Sequence, residues 1–211
     1  MYKYVAKGEV AEYRAYCQDV LNRLKMKLER KYGIKSYVTL IGSGAQNMVT
    51  RDGEGPFDLD YNLVLTTISQ KYEKAPEQLK NLTREALDDL VNKKFSHGKG
   101  STSSITYLAY SEDGKKVMFS FDVALIWERE SQYKLVHDKE NNLFIWNQIR
   151  DSKDLERKIL EIKNNKRWGD VRLRYLKMKN EYLNKQDKTH PSFVVYIEAV
   201  NQVYNSIKSR N

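Results

Sequence analysis

Three aspartates on otherwise apolar, strand-like runs constrain this chain more than any other feature. In FDLDYNLVL (57–65) the side chains of a β-strand alternate between faces, so Phe57, Leu59, Tyr61, Leu63 and Leu65 share the core side. Asp58 and Asp60 are then neighbours on the opposite face, with Asn62 next along. In MFSFDVALI (118–126) Phe119, Phe121, Val123 and Leu125 form one face and leave Ser120, Asp122 and Ala124 on the other. An aspartate in the middle of an apolar strand is unfavourable unless it is paired, hydrogen-bonded or bound to metal. Asp58 and Asp60 lie only about 6 to 7 Å apart along a strand, and their charges repel. A cation relieves that repulsion. Hard divalent ions such as Mg²⁺ or Mn²⁺ suit oxygen ligands of this kind, together with substrate phosphates. If the two strands are neighbours, all three carboxylates meet on one patch of sheet, the arrangement that two-metal phosphoryl and nucleotidyl transfer uses. Taken singly, an Asp-x-Asp is equally the mark of a solvated strand face, and Asp122 of a hydrogen-bonded structural residue.

The surrounding pattern supplies a scaffold. Tyr13, Cys17, Val20, Leu24 and Leu28 recur at helical spacing and predict a helix over 10–32, ended by Gly33. SYVTLI (36–41) reads as a strand running into Gly42. Residues 42–56, GSGAQNMVTRDGEGP, read as one long loop, and loops of that length usually have a task. After the strand at 57–65 comes a predicted helix over 76–95. Strands at 101–110 and 116–127 are then joined by the hairpin signal SEDGK. A further hairpin is expected within 132–149, and helices over 152–163, 169–184 and 191–208. This order predicts an α+β fold. A small mixed β-sheet flanked by helices forms a core over 1–150, and a helical C-terminal region over 151–211 packs on it.

Gly42-Ser43-Gly44 directly follows a strand. Glycines let backbone approach a ligand closely, and amide N–H groups with the Ser43 hydroxyl can cradle phosphate oxygens. A helix beginning in AQNMVT would favour an anion further. The loop is neither a Walker A sequence, since no Gly-Lys-Ser/Thr follows, nor a G-x-G-x-x-G fingerprint. A second candidate for nucleotide contact is the predicted helix WGDVRLRYLKMKNEYLN. There Arg172 and Lys179 fall on one face, and Arg174 and Lys177 lie adjacent on another, around Tyr175. These cations suit a γ-phosphate or a nucleic-acid acceptor; a solvated face with lysine stems lying along it is the plainer explanation. Tyr175 or Tyr196 could stack on a base. HGKGSTSS (97–104) offers Lys99, Ser101 and Ser103 beside the acidic sheet, or is simply a connection.

IGSG at 41–44, FDLDYNLVL at 57–65 and FSFDVALI at 119–126 together resemble the polymerase-β-like nucleotidyltransferase superfamily. Its pattern is a Gly-Ser or Gly-Gly pair, then an acidic-x-acidic strand, then a third acid on a later strand. The resemblance spans roughly residues 34–127. It implies that Ser43 contacts a triphosphate, that Asp58 and Asp60 ligate two metals, and that Asp122 completes the site and acts on an incoming hydroxyl. Fourteen residues separate Ser43 from Asp58. That spacer is longer than the family's usual one, and TRDGEGP looks like the insertion.

Bulk properties set outer limits. In 211 residues, 40% hydrophobic and 31% charged, the composition is that of a globular chain. No run is apolar enough for a membrane span, and the N-terminal sequence has no signal-peptide core. One cysteine and three histidines leave no cysteine-built zinc site and make a histidine cluster improbable, so a reducing cytoplasm is expected. The net charge of +9 suits polyanionic partners, triphosphates or nucleic acid. The expectation is therefore a metal-dependent nucleotidyltransferase that binds a nucleoside triphosphate. Its acceptor could be RNA, a second nucleotide or a small molecule. Two alternatives stand beside it: a catalytically degenerate fold binding nucleic acid through its basic helices, and a phosphohydrolase using the same acids.

Overall fold

A computed structural model of the chain describes residues 1–98, 101–149, 152–187 and 189–209. In chain order its elements are β1 (Tyr2–Tyr4), α1 (Lys7–Tyr32), β2 (Lys35–Ile41), α2 (Gly42–Ala45), β3 (Thr50–Asp52), β4 (Phe57–Thr67), α3 (Gln70–Lys74) and α4 (Pro76–Asp88). There follow β5 (Phe95–His97), β6 (Ile105–Tyr110), β7 (Val117–Glu128), β8 (Gln132–Asp138), β9 (Leu143–Gln148), α5 (Lys153–Asn164), α6 (Trp168–Asn184) and α7 (Ser192–Lys208). They form two units. One holds residues 5–49 and 55–149; the other holds 1–4, 50–54 and the chain from 150 onward.

The first unit is a seven-stranded mixed sheet in the order β2-β4-β7-β6-β5, with β8 also paired to β7 and β9 to β8. Every pairing in it is antiparallel except β4 with β7. A parallel pair needs a long crossover, and residues 68–116 supply it. The alternation read from the sequence governs the packing. Phe57, Leu59, Tyr61, Leu63 and Leu65 of β4 are buried with Phe119, Phe121, Val123 and Leu125 of β7, in one cluster with Ile105 and Tyr107 of β6. Helix α1 contributes Cys17, Val20, Leu21, Leu24 and Leu28 to that cluster, and α4 contributes Leu79, Leu82, Ala86 and Leu87. The ring of Tyr13 stacks on Phe119 at 4.2 Å and meets Phe57 edge-on at 5.4 Å. Gly33, at φ 68°, ends α1 and donates its N–H to Glu29, as expected of a left-handed cap.

Three predicted boundaries move, each for a local reason. The helix expected to reach residue 95 stops at Asp88. Asn92 then makes a turn, accepting from Lys94 N–H at 3.0 Å on its side chain and from Phe95 N–H at 3.0 Å on its backbone, and β5 begins. The strand expected from 101 begins at Ile105, because residues 101–104 are held by other bonds described below. The long loop at 42–56 contains a helical turn, α2, and a strand, β3. No helix starts in AQNMVT, where Asn47 has a φ of 55°.

In the second unit, α5, α6 and α7 bury Ile162, Val171, Tyr175, Met178, Val195, Ala199, Val200, Val203 and Ile207. The residues that lengthen the spacer have a structural use there: Thr50–Asp52 pairs antiparallel with Tyr2–Tyr4. Asn180 of α6 fastens this ribbon by accepting the Tyr2 N–H at 2.6 Å and donating to the Tyr2 carbonyl at 3.1 Å. Among the described residues no helix is long and apolar enough to cross a membrane.

Candidate active site

The parallel pairing of β4 with β7 sets Asp60 directly opposite Asp122, and Asp58 opposite Ser120. Neighbouring strands lie about 4.8 Å apart, so the three carboxylates share one small patch on the face turned away from the core. Farther along the same strands this face becomes apolar, with Val64, Ala124 and Ile126 buried together. The acids thus stand at the end of the sheet where β2 runs into α2. Ile41 is opposite Asp60 in the β2–β4 ladder, and the chain turns at Gly42 immediately after it.

That turn explains the glycine. Gly42 has a φ of 60°, and a β-carbon built on it would lie 2.9 Å from Asp60 Oδ2. Backbone and carboxylate are therefore in close contact, and no larger residue fits without moving the acid. Ser43, next along, is partly exposed on the same turn, so the Gly42-Ser43 pair stands beside Asp60.

The three acids differ in environment. Asp58 is exposed. Asp60 is pushed up to about 7 by burial first, then by the charges of Asp58 and Asp122, against a smaller opposing pull from Lys134. Asp122 Oδ1 accepts hydrogen bonds from Ser104 Oγ at 2.9 Å and from Thr106 Oγ1, its neighbour across the β6–β7 ladder. Two hydroxyl donors on one oxygen fix the rotamer and leave the other oxygen for a ligand.

No three histidine, cysteine or acidic side chains among the described residues form a ready-made metal cage. The donor set nonetheless fits Mg²⁺ or Mn²⁺. All three groups are carboxylates, and the one at the centre is held from ionising by burial first and then by its two charged neighbours, a penalty that a divalent cation offsets. Mg²⁺ commonly takes one or two carboxylates and completes its shell with water and substrate phosphate.

Residues missed in the sequence gather here. Ser104 and Thr106 escape a reading that looks only for acids, though Thr106 follows from strand alternation once β6 is paired with β7. Lys134 is set beside Ile126 in the β7–β8 ladder, on the carboxylate face. Its signal, a lysine inside YKLV, is uninformative without that pairing. Of the expected hydroxyls, Ser101 Oγ accepts from the Ser103 N–H at 3.3 Å. Lys99 lies outside the described residues.

Arg172 and Lys177 belong to the helical unit. The Arg172 guanidinium lies over the Tyr4 ring at 4.3 Å, and the Tyr4 hydroxyl donates to the Arg172 carbonyl at 2.6 Å. Lys179 is buried, with its ammonium 3.9 Å from the Tyr2 ring centre and 2.9 Å from Thr50 Oγ1. Lys177 is exposed and lies 3.8 Å from Glu181. Tyr175 is buried and Tyr196 partly so.

Comparison with known proteins places the fold. No family model and no curated protein matches the chain. Solved structures do. The CdnC protein of E. coli MS115-1, determined with ATP, superposes with a TM-score of 0.59 at 16% identity, over 96% of this chain and 62% of that one. Escherichia coli DncV, bound to 3'-deoxy GTP, gives 0.64 at 13% identity, over 93% and 68%. The CdnE cyclic dinucleotide synthase of Elizabethkingia meningoseptica, with GTP and Apcpp, gives 0.54 at 14%, over 95% and 77%. The chain thus spans less than two thirds of the length of the CdnC structure. At these identities the likeness shows a shared fold, and the chain has the fold of these nucleotide-bound structures.

Proposed function

We propose that this protein is a metal-dependent nucleotidyltransferase that transfers a nucleoside monophosphate from a nucleoside triphosphate to a hydroxyl, releasing pyrophosphate. One observation carries the reading: Asp58, Asp60 and Asp122 share one face of the sheet in register, with the Gly42 backbone against the Asp60 carboxylate. Asp58, Asp60 and Asp122 would hold Mg²⁺ or Mn²⁺, which when bound neutralises triphosphate charge and makes an acceptor hydroxyl easier to deprotonate. Ser43 and the Gly42 backbone bind the triphosphate beside Asp60. Asp122, with one oxygen held by Ser104 and Thr106, presents the other to the acceptor hydroxyl. The bond formed joins that hydroxyl oxygen, whose proton passes to the second oxygen of Asp122, to the α-phosphorus; the bond broken links the α-phosphorus to the bridging oxygen, which leaves with pyrophosphate.

The acceptor we propose is a second nucleotide. The fold likeness to a cyclic dinucleotide synthase supports that class over an RNA end or a small molecule. The test is incubation with each labelled triphosphate, alone and in pairs, with Mg²⁺ or Mn²⁺. Pyrophosphate and a 3'-5' or 2'-5' linked nucleotide product are expected. Release of inorganic phosphate instead would make the protein a phosphohydrolase. No turnover with any triphosphate, together with salt-dependent binding of nucleic acid, would point to a catalytically degenerate fold.

A further inference from the structure

The segment that delivers Ser104 to Asp122 is anchored from the far side of the sheet by a buried lysine. Lys80 lies on α4 among Leu79, Leu82 and Thr83 and is only 5% exposed. Its ammonium donates to the Ser101 carbonyl at 3.0 Å and lies 5.3 Å from the centre of the Phe144 ring on β9. A buried cation is costly unless its environment compensates for lost water, and here a carbonyl and an aromatic face do so. The cost shows in its acidity, lowered to about 8 by burial and then by the Arg84 charge. From Ser101 the chain is tied at each step: Ser103 N–H to Ser101 Oγ, His137 N–H to the Thr102 carbonyl at 2.7 Å, and Ser104 Oγ to Asp122 at 2.9 Å. A leucine at position 80 would fill the space equally well but could not hold a carbonyl.

We propose that Lys80 is a positioning residue, which by gripping the Ser101 carbonyl holds residues 101–104 so that Ser104 fixes the carboxylate of Asp122. Its role in turnover rests on the transferase reading above; its role as an anchor does not. Lys80 touches no reacting atom. It acts on the orientation of Asp122, and therefore on the chemical step, not on triphosphate affinity.

The experiment compares wild type, Lys80→Met, Lys80→Arg, Ser104→Ala and Lys80→Met/Ser104→Ala, after circular dichroism has shown each to be folded. If Lys80→Met does not fold, Lys80→Leu, which also lacks a donor, takes its place with the same expected outcomes. Two quantities are read. Amide exchange at His137 and Ser103 should be faster in Lys80→Met by about tenfold or more, and close to wild type in Lys80→Arg. For nucleotidyl transfer, Lys80→Met should lose about tenfold in kcat with the triphosphate KM within about twofold of wild type, and Lys80→Arg should recover most of the loss. The double variant should be no slower than Ser104→Ala, since both changes break one chain of contacts. Unchanged exchange in Lys80→Met would overturn the anchor. A kcat defect that adds in full to that of Ser104→Ala would overturn the route through Ser104. If wild type transfers no nucleotide, the transferase reading has failed, and exchange alone still decides whether Lys80 is the anchor.

Discussion

Asp60 is partly buried and sits between two carboxylates, and its acidity reflects the burial first and their charges second. With a folded value of about 7 against an ordinary value of 3.8, the native state holds a proton that the unfolded chain has already lost between those limits. Stability of the metal-free protein should therefore fall as pH rises from about 4 to about 7, by on the order of 2–4 kcal/mol. Asp60→Asn should remove most of that slope and stabilise the metal-free protein at pH 8, as urea unfolding would show. If the variant is less stable than wild type there, burial and the neighbouring charges do not penalise the Asp60 carboxylate. Gly42→Ala provides a second check at this scale. A methyl group would press on Asp60 Oδ2 and place a non-glycine residue at φ 60°. We expect a cost of about 1–2 kcal/mol in stability, seen as a lower thermal midpoint, together with a loss of transfer. Loss of stability without loss of transfer would separate Gly42 from the site.

At the scale of elements, strand alternation made most of the site legible. The period of two in 57–65 and 118–126 assigns each aspartate its face before any pairing is known, and β4 and β7 bear this out residue by residue. What alternation cannot supply is which strands are neighbours. The register that sets Asp60 opposite Asp122, and that puts Thr106 and Lys134 on the carboxylate face, comes from long-range pairing. Ribbon β1–β3 was invisible for a related reason. TRDGEGP looks like a loop because its strand has three residues and its partner lies at the N-terminus. Helix α4 illustrates a limit of periodicity. Leu90 and Val91 still pack on the core after Asp88, so apolar spacing runs on where the helix has ended. The Tyr107 hydroxyl, which donates to Asp88 Oδ1 at 2.6 Å, tethers that end to β6. Tyr107→Phe should cost about 1–2 kcal/mol in chemical denaturation and leave kcat unchanged. A fall in kcat at constant stability would mean that the tether bears on the site.

For the whole molecule, the sequence pattern divided the chain at residue 150, whereas the structure groups residues 1–4 and 50–54 with the C-terminal helices. Continuous stretches of sequence do not reveal that grouping, because the contacts that make it join residues more than a hundred positions apart, as in Lys179 with Thr50. The acids, the Gly42 turn, Ser104 and Thr106 all belong to the sheet unit, so the proposed chemistry is assigned to that unit. The most direct measurement of the central claim is pyrophosphate release from a nucleoside triphosphate with Mg²⁺ or Mn²⁺, in wild type and in Asp58→Ala and Asp122→Asn. Wild type should release pyrophosphate in step with nucleotidyl product, and each variant should be slower by about 10²-fold or more while remaining folded. Equal rates in all three proteins would contradict the account.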